Sequence, residues 1–366
     1  MKYKDNWEDT KQRFEAWWSR SSLGRPMLRV TSKKPAQEIA GIPVPPPPTT
    51  PEDMHIGIPH ALRVAEYGFQ TTNFNHAEAF PAIDLNMGPG SLACYLGSEP
   101  IFKWDTVWFS PCVPDGWQAF GPLRFDPENP WWQKHWQVLR AAVEAAQGDY
   151  LVNIPDLIEN VDVLSAMRDP QTFCYDLIDE PETVRDYTDQ LDALYFQYYD
   201  PISELVACDG GTSYTAFSIW GKGRTAKVQC DFSALMSPAQ FRDHVLDSLQ
   251  RQLARLDHSL YHLDGPDAVR HLDALMELDR LDALQWTPGA GRPDPGDPLW
   301  YPIHDKVHRA GKSLWISLSD GGIEDWLAKT DRLVDRYGAD GLYMLYPTMQ
   351  ESEALRLMER AETRWR

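Results

Sequence analysis

Apolar positions recur every three to four residues over 4–20, where Trp7, Phe14, Trp17 and Trp18 share one side of a predicted helix. Gly24-Arg25-Pro26 breaks that helix, and Met27-Leu-Arg-Val30 reads as a first strand. Residues 42–51 (IPVPPPPTTP) have no period and predict extended polyproline, a stiff surface connection. A helix is predicted over 59–68. The segment 73–97 carries Asp84, a Gly88-Pro-Gly90 turn and a helix running to Gly97. Residues 101–109 alternate as a strand with room for a hairpin. Pro130 opens a helix over 131–146, and 150–155 is a strand closing at Asp156. Helices follow at 161–168, 170–179 and 181–206.

Beyond residue 206 the two periods alternate regularly. Strands at 214–220 and 226–231 precede a helix over 238–255, which Ser237-Pro238 starts. Strand and helix then pair as 259–263 with 266–276, 281–286 with 299–310, 313–318 with 322–336, and 341–346 with 349–363. Such alternation predicts a parallel sheet with right-handed crossovers. The strand count fits an α/β fold of the (β/α)8 TIM-barrel type, one domain over 1–366, with residues 1–58 as an N-terminal helical and proline-rich extension.

In a barrel strand the helix-facing side is apolar and the other side looks into the lumen. In Lys227-Val-Gln-Cys-Asp231, Val228 and Cys230 take the apolar face, leaving Gln229 and Asp231 inside. In Tyr261-His-Leu-Asp264 the same rule turns His262 and Asp264 inward, just before a Gly265-Pro266 strand end. A bland reading competes here, in which Asp264 only caps the next helix. Trp315 and Ser317 face in from Leu314–Leu318. Both faces are apolar around Leu284-Gln-Trp286 and Tyr343-Met-Leu-Tyr346, so those strands are ambiguous. The predicted mouth holds Asp231, His262 and Asp264 as catalytic residues. Gln229, Gln285, Trp286, Trp315, Tyr343, Tyr346, Asp156 and Asp84 are substrate-binding candidates around them. Neighbouring carboxylates separate their pKa values and give one site both an acid and a base. The trio His262, Asp264 and Asp231 is also an adequate ligand set for zinc or another divalent metal.

Composition narrows the partners. A net charge of −19 argues against nucleic acid, anionic membranes and polyanionic substrates, and leaves a small-molecule substrate. Five cysteines without a C-x-x-C spacing fit reduced thiols. The first residues have no apolar h-region and no run is long enough to span a bilayer, so a cytoplasmic enzyme is expected. A homodimer is compatible with the sequence. Trp17-Trp18 and Trp131-Trp132 read as helix packing, and His244, His258 and His271 as solvated positions. H-E-x-x-H, Walker, G-x-G-x-x-G and G-x-S-x-G motifs are absent.

Asp179-Glu-Pro-Glu-Thr-Val184, then Cys230-Asp-Phe followed by Met236-Ser-Pro238, then the His262 strand, resemble in order and spacing the uroporphyrinogen decarboxylase-like superfamily. The resemblance covers roughly residues 75–360. It implies a (β/α)8 barrel with its site at the carboxyl mouth. It also implies kinship with zinc-dependent methyltransferases that serve corrinoid proteins and coenzyme M, and so a corrinoid protein as a partner. Two departures matter. The arginine-rich R-Q-A-G-R-Y segment of the decarboxylases is absent, which disfavours a porphyrinogen. In the zinc-binding H-x-C motif Asp264 stands where the cysteine would be, and no cysteine lies after Cys230. Metal-assisted methyl or small-group transfer is the leading expectation. A glycoside hydrolase using Asp231 and Asp264 is the alternative. Decarboxylation of a small acid, with Asp84 or Asp231 as the acidic group, and a non-enzymatic binding role rank below.

Overall fold

Six parallel strands form the main sheet of the computed structural model, which describes residues 1–21 and 24–366. In chain order, β1 is Met27–Arg29, β2 Ala82–Ile83, β3 Leu151–Val152, β4 Thr225–Gln229, β5 His258–Asp264, β6 Ala283–Thr287, β7 Ser313–Ser317 and β8 Leu342–Leu345. The sheet order is β1-β8-β7-β6-β5-β4, and β2 with β3 makes a separate parallel pair. Among the described residues the ladder is not a closed ring. One backbone bond extends it beside β1, from Glu78 N to Leu28 O (2.9 Å), and another, from Ile154 N to Ser213 O (2.9 Å), ties the segment after β3 to the separate two-stranded unit of Gly211–Tyr214 and Ile219–Lys222. The chain is therefore a mixed α/β protein, and no helix among the described residues is long and apolar enough to cross a membrane.

Register decides which side chains meet. Gln229, His262, Gln285, Trp315, Tyr343 and Met27 align in one row across the sheet, and residues in one row share a face. Val228, Tyr261, Leu284, Leu314 and Leu342 form the row on the opposite face, all buried against the helices. Helix starts are set locally. Asn129 accepts from Trp131 N and Trp132 N ahead of Pro130–Ala146, and Ser237 with Gln240 forms a capping box ahead of Pro238–Phe241.

The N-terminal stretch is more than an extension. Its helix, Trp7–Trp18, lies across the amino ends of the strands. Trp17 Nε1 donates to Gly341 O, Trp18 Nε1 to Trp220 O, and Ser313 Oγ to Trp17 O. Beside it Glu78 is buried, receiving both terminal nitrogens of Arg25, Arg13 Nε and Leu28 N. Burial pushes the Glu78 carboxyl up, but the Arg25 and Arg13 guanidiniums outweigh it and hold it below the usual range.

Three sequence expectations need correction. Residues 214–220 are not one strand: Gly211–Tyr214 and Ile219–Lys222 are an antiparallel hairpin around a 3-10 turn, Thr215–Phe217. Its tip has no Gly, Pro, Asn or Asp, so nothing in the sequence announces the reversal. Residues 238–255 are interrupted by a π turn, Arg242–Leu246. The three histidines are not solvated. His244 and His271 are buried and His258 half-buried, with His271 stacked on Phe241 at 4.4 Å and His258 on Trp18 at 5.0 Å. Burial holds all three below the ordinary imidazole range.

Candidate active site

At the carboxyl ends of β4 and β5, Asp231, His262 and Asp264 each offer a ligand atom, and these atoms lie within 4.8 Å of one another. Asp264 ends β5, and Asp231 follows β4 after one extended residue, Cys230. The capping role for Asp264 does not hold, because the 3-10 turn Pro266–His271 has Gly265 at its cap and takes no side-chain bond there. Cys230 stays on the apolar face and is buried, which pushes its thiol well above the usual range.

Two glutamine amides orient the donors. Gln285 Nε2 donates to Thr287 Oγ1 at 2.8 Å, so its Oε1 faces His262 Nδ1 in a close hydrogen bond. A carbonyl oxygen only accepts, so Nδ1 carries a proton, and in the neutral ring the lone pair is on Nε2. On β4, Gln229 Oε1 accepts from Lys227 Nζ, which fixes the amide so that Nε2 donates to Asp231 Oδ2 (2.9 Å) and Asp162 Oδ2 (3.2 Å). Lys227, almost fully buried, also pairs with Asp156 at 2.7 Å.

Behind this face the segment between β3 and the helix Asn160–Arg168 closes over β4. Glu159 Oε1 accepts from Gln229 N, Asn160 Nδ2 donates to Gln229 O, and Asp162 accepts from Asp231 N and Phe232 N, both at 2.8 Å. Reaching this arrangement puts Ile158 at φ 49° and Asn160 at φ 49°. Asn tolerates that region, whereas the β-branched Ile158 is strained by roughly 1–3 kcal/mol. Gly90 is required alongside: at φ +123° a Cβ would meet Phe109 at 2.8 Å and Ile158 at 3.2 Å.

Four carboxyls, those of Glu159, Asp162, Asp231 and Asp84, are perturbed upward. Burial raises Glu159 to about 8, opposed by Lys227. Burial also raises Asp162 and Asp231; Asp231 adds to the rise at Asp162, while His262 and Lys227 oppose it at Asp231. Asp84 is reached by solvent on one side yet crowded by protein elsewhere, and that crowding with the charge of Asp156 raises it to about 7. Two clefts adjoin the trio. One of about 440 Å³ runs from Asp264 past Thr287, Arg292 and Asp320. The other, about 560 Å³, runs from Asp231 beneath the hairpin Glu99–Phe102/Val107–Ser110.

The structure thus brings together Asp231, His262, Asp264, Gln229 and Gln285, with Asp156 joined through Lys227. Asp84 is held by Asn153 (3.1 Å) at the end of β2. The other four expected residues border the trio less directly. Trp315 and Tyr343 are in the same row as His262 but lie under the hairpin tip, donating to Phe217 O and Ser218 O at 2.7 Å each. They hold the hairpin tip whose Phe217 ring packs on His262 at 5.2 Å. Trp286 lines the Asp264 cleft while its ring packs on Trp300, and Tyr346 points outward, hydrogen-bonding Thr330 of the helix Ile323–Tyr337. Sequence reasoning misses Lys227, Glu159, Asp162 and Phe217. Lys227 has a signal, two residues before Gln229 on the same face; the others come from distant segments.

No family model matches the chain, and no curated protein matches it by sequence. Among solved structures, a methyltransferase from Methanosarcina mazei superposes with a TM-score of 0.63 at 12% identity, covering 96% of this chain and 98% of that one. At that identity the likeness is one of fold.

Proposed function

We propose that the chain is one barrel domain of the (β/α)8 type, with β2 and β3 completing the ring, and that it transfers a methyl or other small group on a small-molecule substrate. The carrying observation is the Asp231, His262 and Asp264 trio, two of whose members are oriented by fixed glutamine amides. The fold likeness to a methyltransferase supports methyl transfer. One imidazole with its Nε2 lone pair free and two carboxylates suit zinc or a harder divalent ion, and the Gln285–His262 bond is the outer-sphere contact such a ligand has. A metal bound there would supply Lewis acidity to a substrate heteroatom. This chain's residues would hold the ion, fix the imidazole and, through Lys227, hold the Asp156 side chain nearby.

Elemental analysis of the purified protein and zinc titration against a chelator test this reading. One equivalent of metal is expected, lost in His262→Ala and Asp231→Asn. A protein that binds none, and moves no methyl group from methylcobalamin to a thiol or alcohol, ends it. A second reading has one observation in its favour. Ligand oxygens of Asp231 and Asp264 within 4.8 Å approach the carboxylate separation of retaining glycosidases, about 5 Å. Chelator-resistant turnover of aryl glycosides would select it.

A further inference from the structure

The cleft that starts at Asp231 is apolar along its length and acidic at its inner end. Its walls are Trp108 and Phe109 from the hairpin strand Val107–Ser110, Ile158 from the strained segment, and Phe232 and Leu235 from the turn after β4. Trp108 and Leu235 are each 64% exposed at its rim, large apolar side chains left facing water. Asp162, Asp231 and Gln229 form the inner end, and no Lys, Arg or His lines the cleft among the described residues. Asp162 has only backbone N–H groups and the Gln229 amide as partners, with no ion pair among the described residues. At about 560 Å³ the space is that of a small-molecule pocket, well beyond what a methyl group occupies.

We infer that this cleft seats the non-reacting part of the substrate, and that the substrate is an apolar-bodied, aryl- or branched-alkyl-ammonium-type molecule. The body lies between Trp108, Ile158, Phe232 and Leu235, where burying its surface provides the affinity. Its positive charge lies toward buried Asp162 and solvent-reached Asp231, where the carboxylates attract a cation and repel an anion. A substrate bearing carboxylate, sulfonate or phosphate finds no cationic partner here. The inference takes the location of the reacting centre from the proposed function but not its metal. With an ion on Asp231, His262 and Asp264, Asp162 still lacks a cation, so the charge preference survives loading.

The test uses three probes of nearly equal shape: phenethylammonium, phenethyl alcohol and hydrocinnamate. Binding is followed by calorimetry and tryptophan fluorescence, with the full-length protein chelator-stripped and then zinc-loaded. The ammonium ion is expected to bind about tenfold or more tighter than the alcohol, and hydrocinnamate weaker still. Trp108→Ala should weaken the ammonium and the alcohol alike. Leu235→Lys, at an exposed position that folding does not depend on, should reverse the ranking toward hydrocinnamate. Equal affinity for ammonium and alcohol, preference for hydrocinnamate in the unaltered protein, or no binding of any probe overturns the inference. A lost ranking in protein that takes up zinc refutes this inference alone; an intact ranking in protein that takes up no zinc when it is supplied refutes the metal reading alone.

Discussion

Replacing Gln285 by Leu isolates the orientation of His262 from its presence. The substitution keeps the side-chain volume on the inner row but deletes two bonds, the acceptor for Nδ1–H and the donor to Thr287 Oγ1. Each is worth roughly 1 kcal/mol of net stability, so the fold should lose about 1–2 kcal/mol and remain folded at room temperature. The effect on metal is larger. Without Oε1, the imidazole is free to exchange tautomers and to rotate against Phe217, its ring neighbour at 5.2 Å. Outer-sphere losses of this kind lower affinity by roughly 10–100-fold, or about 1.4–2.7 kcal/mol. Competition between the protein and a chromophoric chelator for zinc measures this directly, and thermal melting of the apo protein gives the folding cost separately. Gln285→Glu, which retains the acceptor, should keep or raise affinity. If Gln285→Leu binds zinc as tightly as the unaltered protein while His262→Ala binds none, the amide does not orient the ligand and the reasoning fails.

Other consequences follow from buried charge. Lys227→Met leaves Asp156 and Glu159 without their cation, and guanidinium unfolding should show a loss of roughly 3–5 kcal/mol. Glu78→Gln removes the carboxylate that Arg25 and Arg13 enclose, with a loss of similar size by the same measurement. Because the native pKa of Glu78 is depressed, its contribution is present above the ordinary carboxyl pKa and disappears as pH falls through the native value, so Glu78→Gln should also flatten the acid limb of a stability-against-pH curve. Asp84 has the opposite sign. Its native pKa of about 7 exceeds that of the unfolded chain, so folding takes up a proton and stability falls as pH rises from about 4 to 7. Asp84→Asn should abolish that fall; an unchanged slope in calorimetric melts between those pH values would show that the carboxyl is ordinarily ionised.

What is legible in the sequence is periodic, and what stays hidden is not. Positions 227 and 229 on β4 with 231 just beyond it, and 262 and 264 on β5, share faces by the two-residue repeat alone, and that repeat suffices to group Asp231, His262, Asp264 and Gln229. The repeat fails where both faces are apolar. Trp286 and Tyr346 look as suited to the lumen as their neighbours, and only the register, Leu263 with Trp286, assigns Trp286 to the helices. Trp315 and Tyr343 occupy the face that alternation assigns them but are covered by the hairpin tip at Phe217 and Ser218, which carries no turn signal. Asp162 and Glu159 belong to a loop and a helix start. Their approach to β4 depends on positive φ at Ile158 and Asn160, a conformation that local propensity argues against.

The two amide relays share one logic that the fold imposes. Gln229 and Gln285 occupy the same row and flank His262, and each fixes a donor: Gln229 holds Asp231 and Gln285 holds His262. Each amide is itself fixed by a group on its own strand two residues away, Lys227 below the first and Thr287 above the second. Three inward layers result, with Lys227 deepest, the Gln229–His262–Gln285 row next, and Asp231, Asp264 and Thr287 outermost. Nothing in any one strand produces this; it requires β4, β5 and β6 to be in register to the residue. A slip of one residue in β5 would replace His262 and Asp264 by Tyr261 and Leu263 and leave both glutamines without their partners. The apolar row Val228, Tyr261, Leu284 and Leu314 prevents that slip, since it would bring the imidazole and a carboxylate against the helices without hydrogen bonds. Packing on the outer face thus sets the geometry of the donors on the inner one.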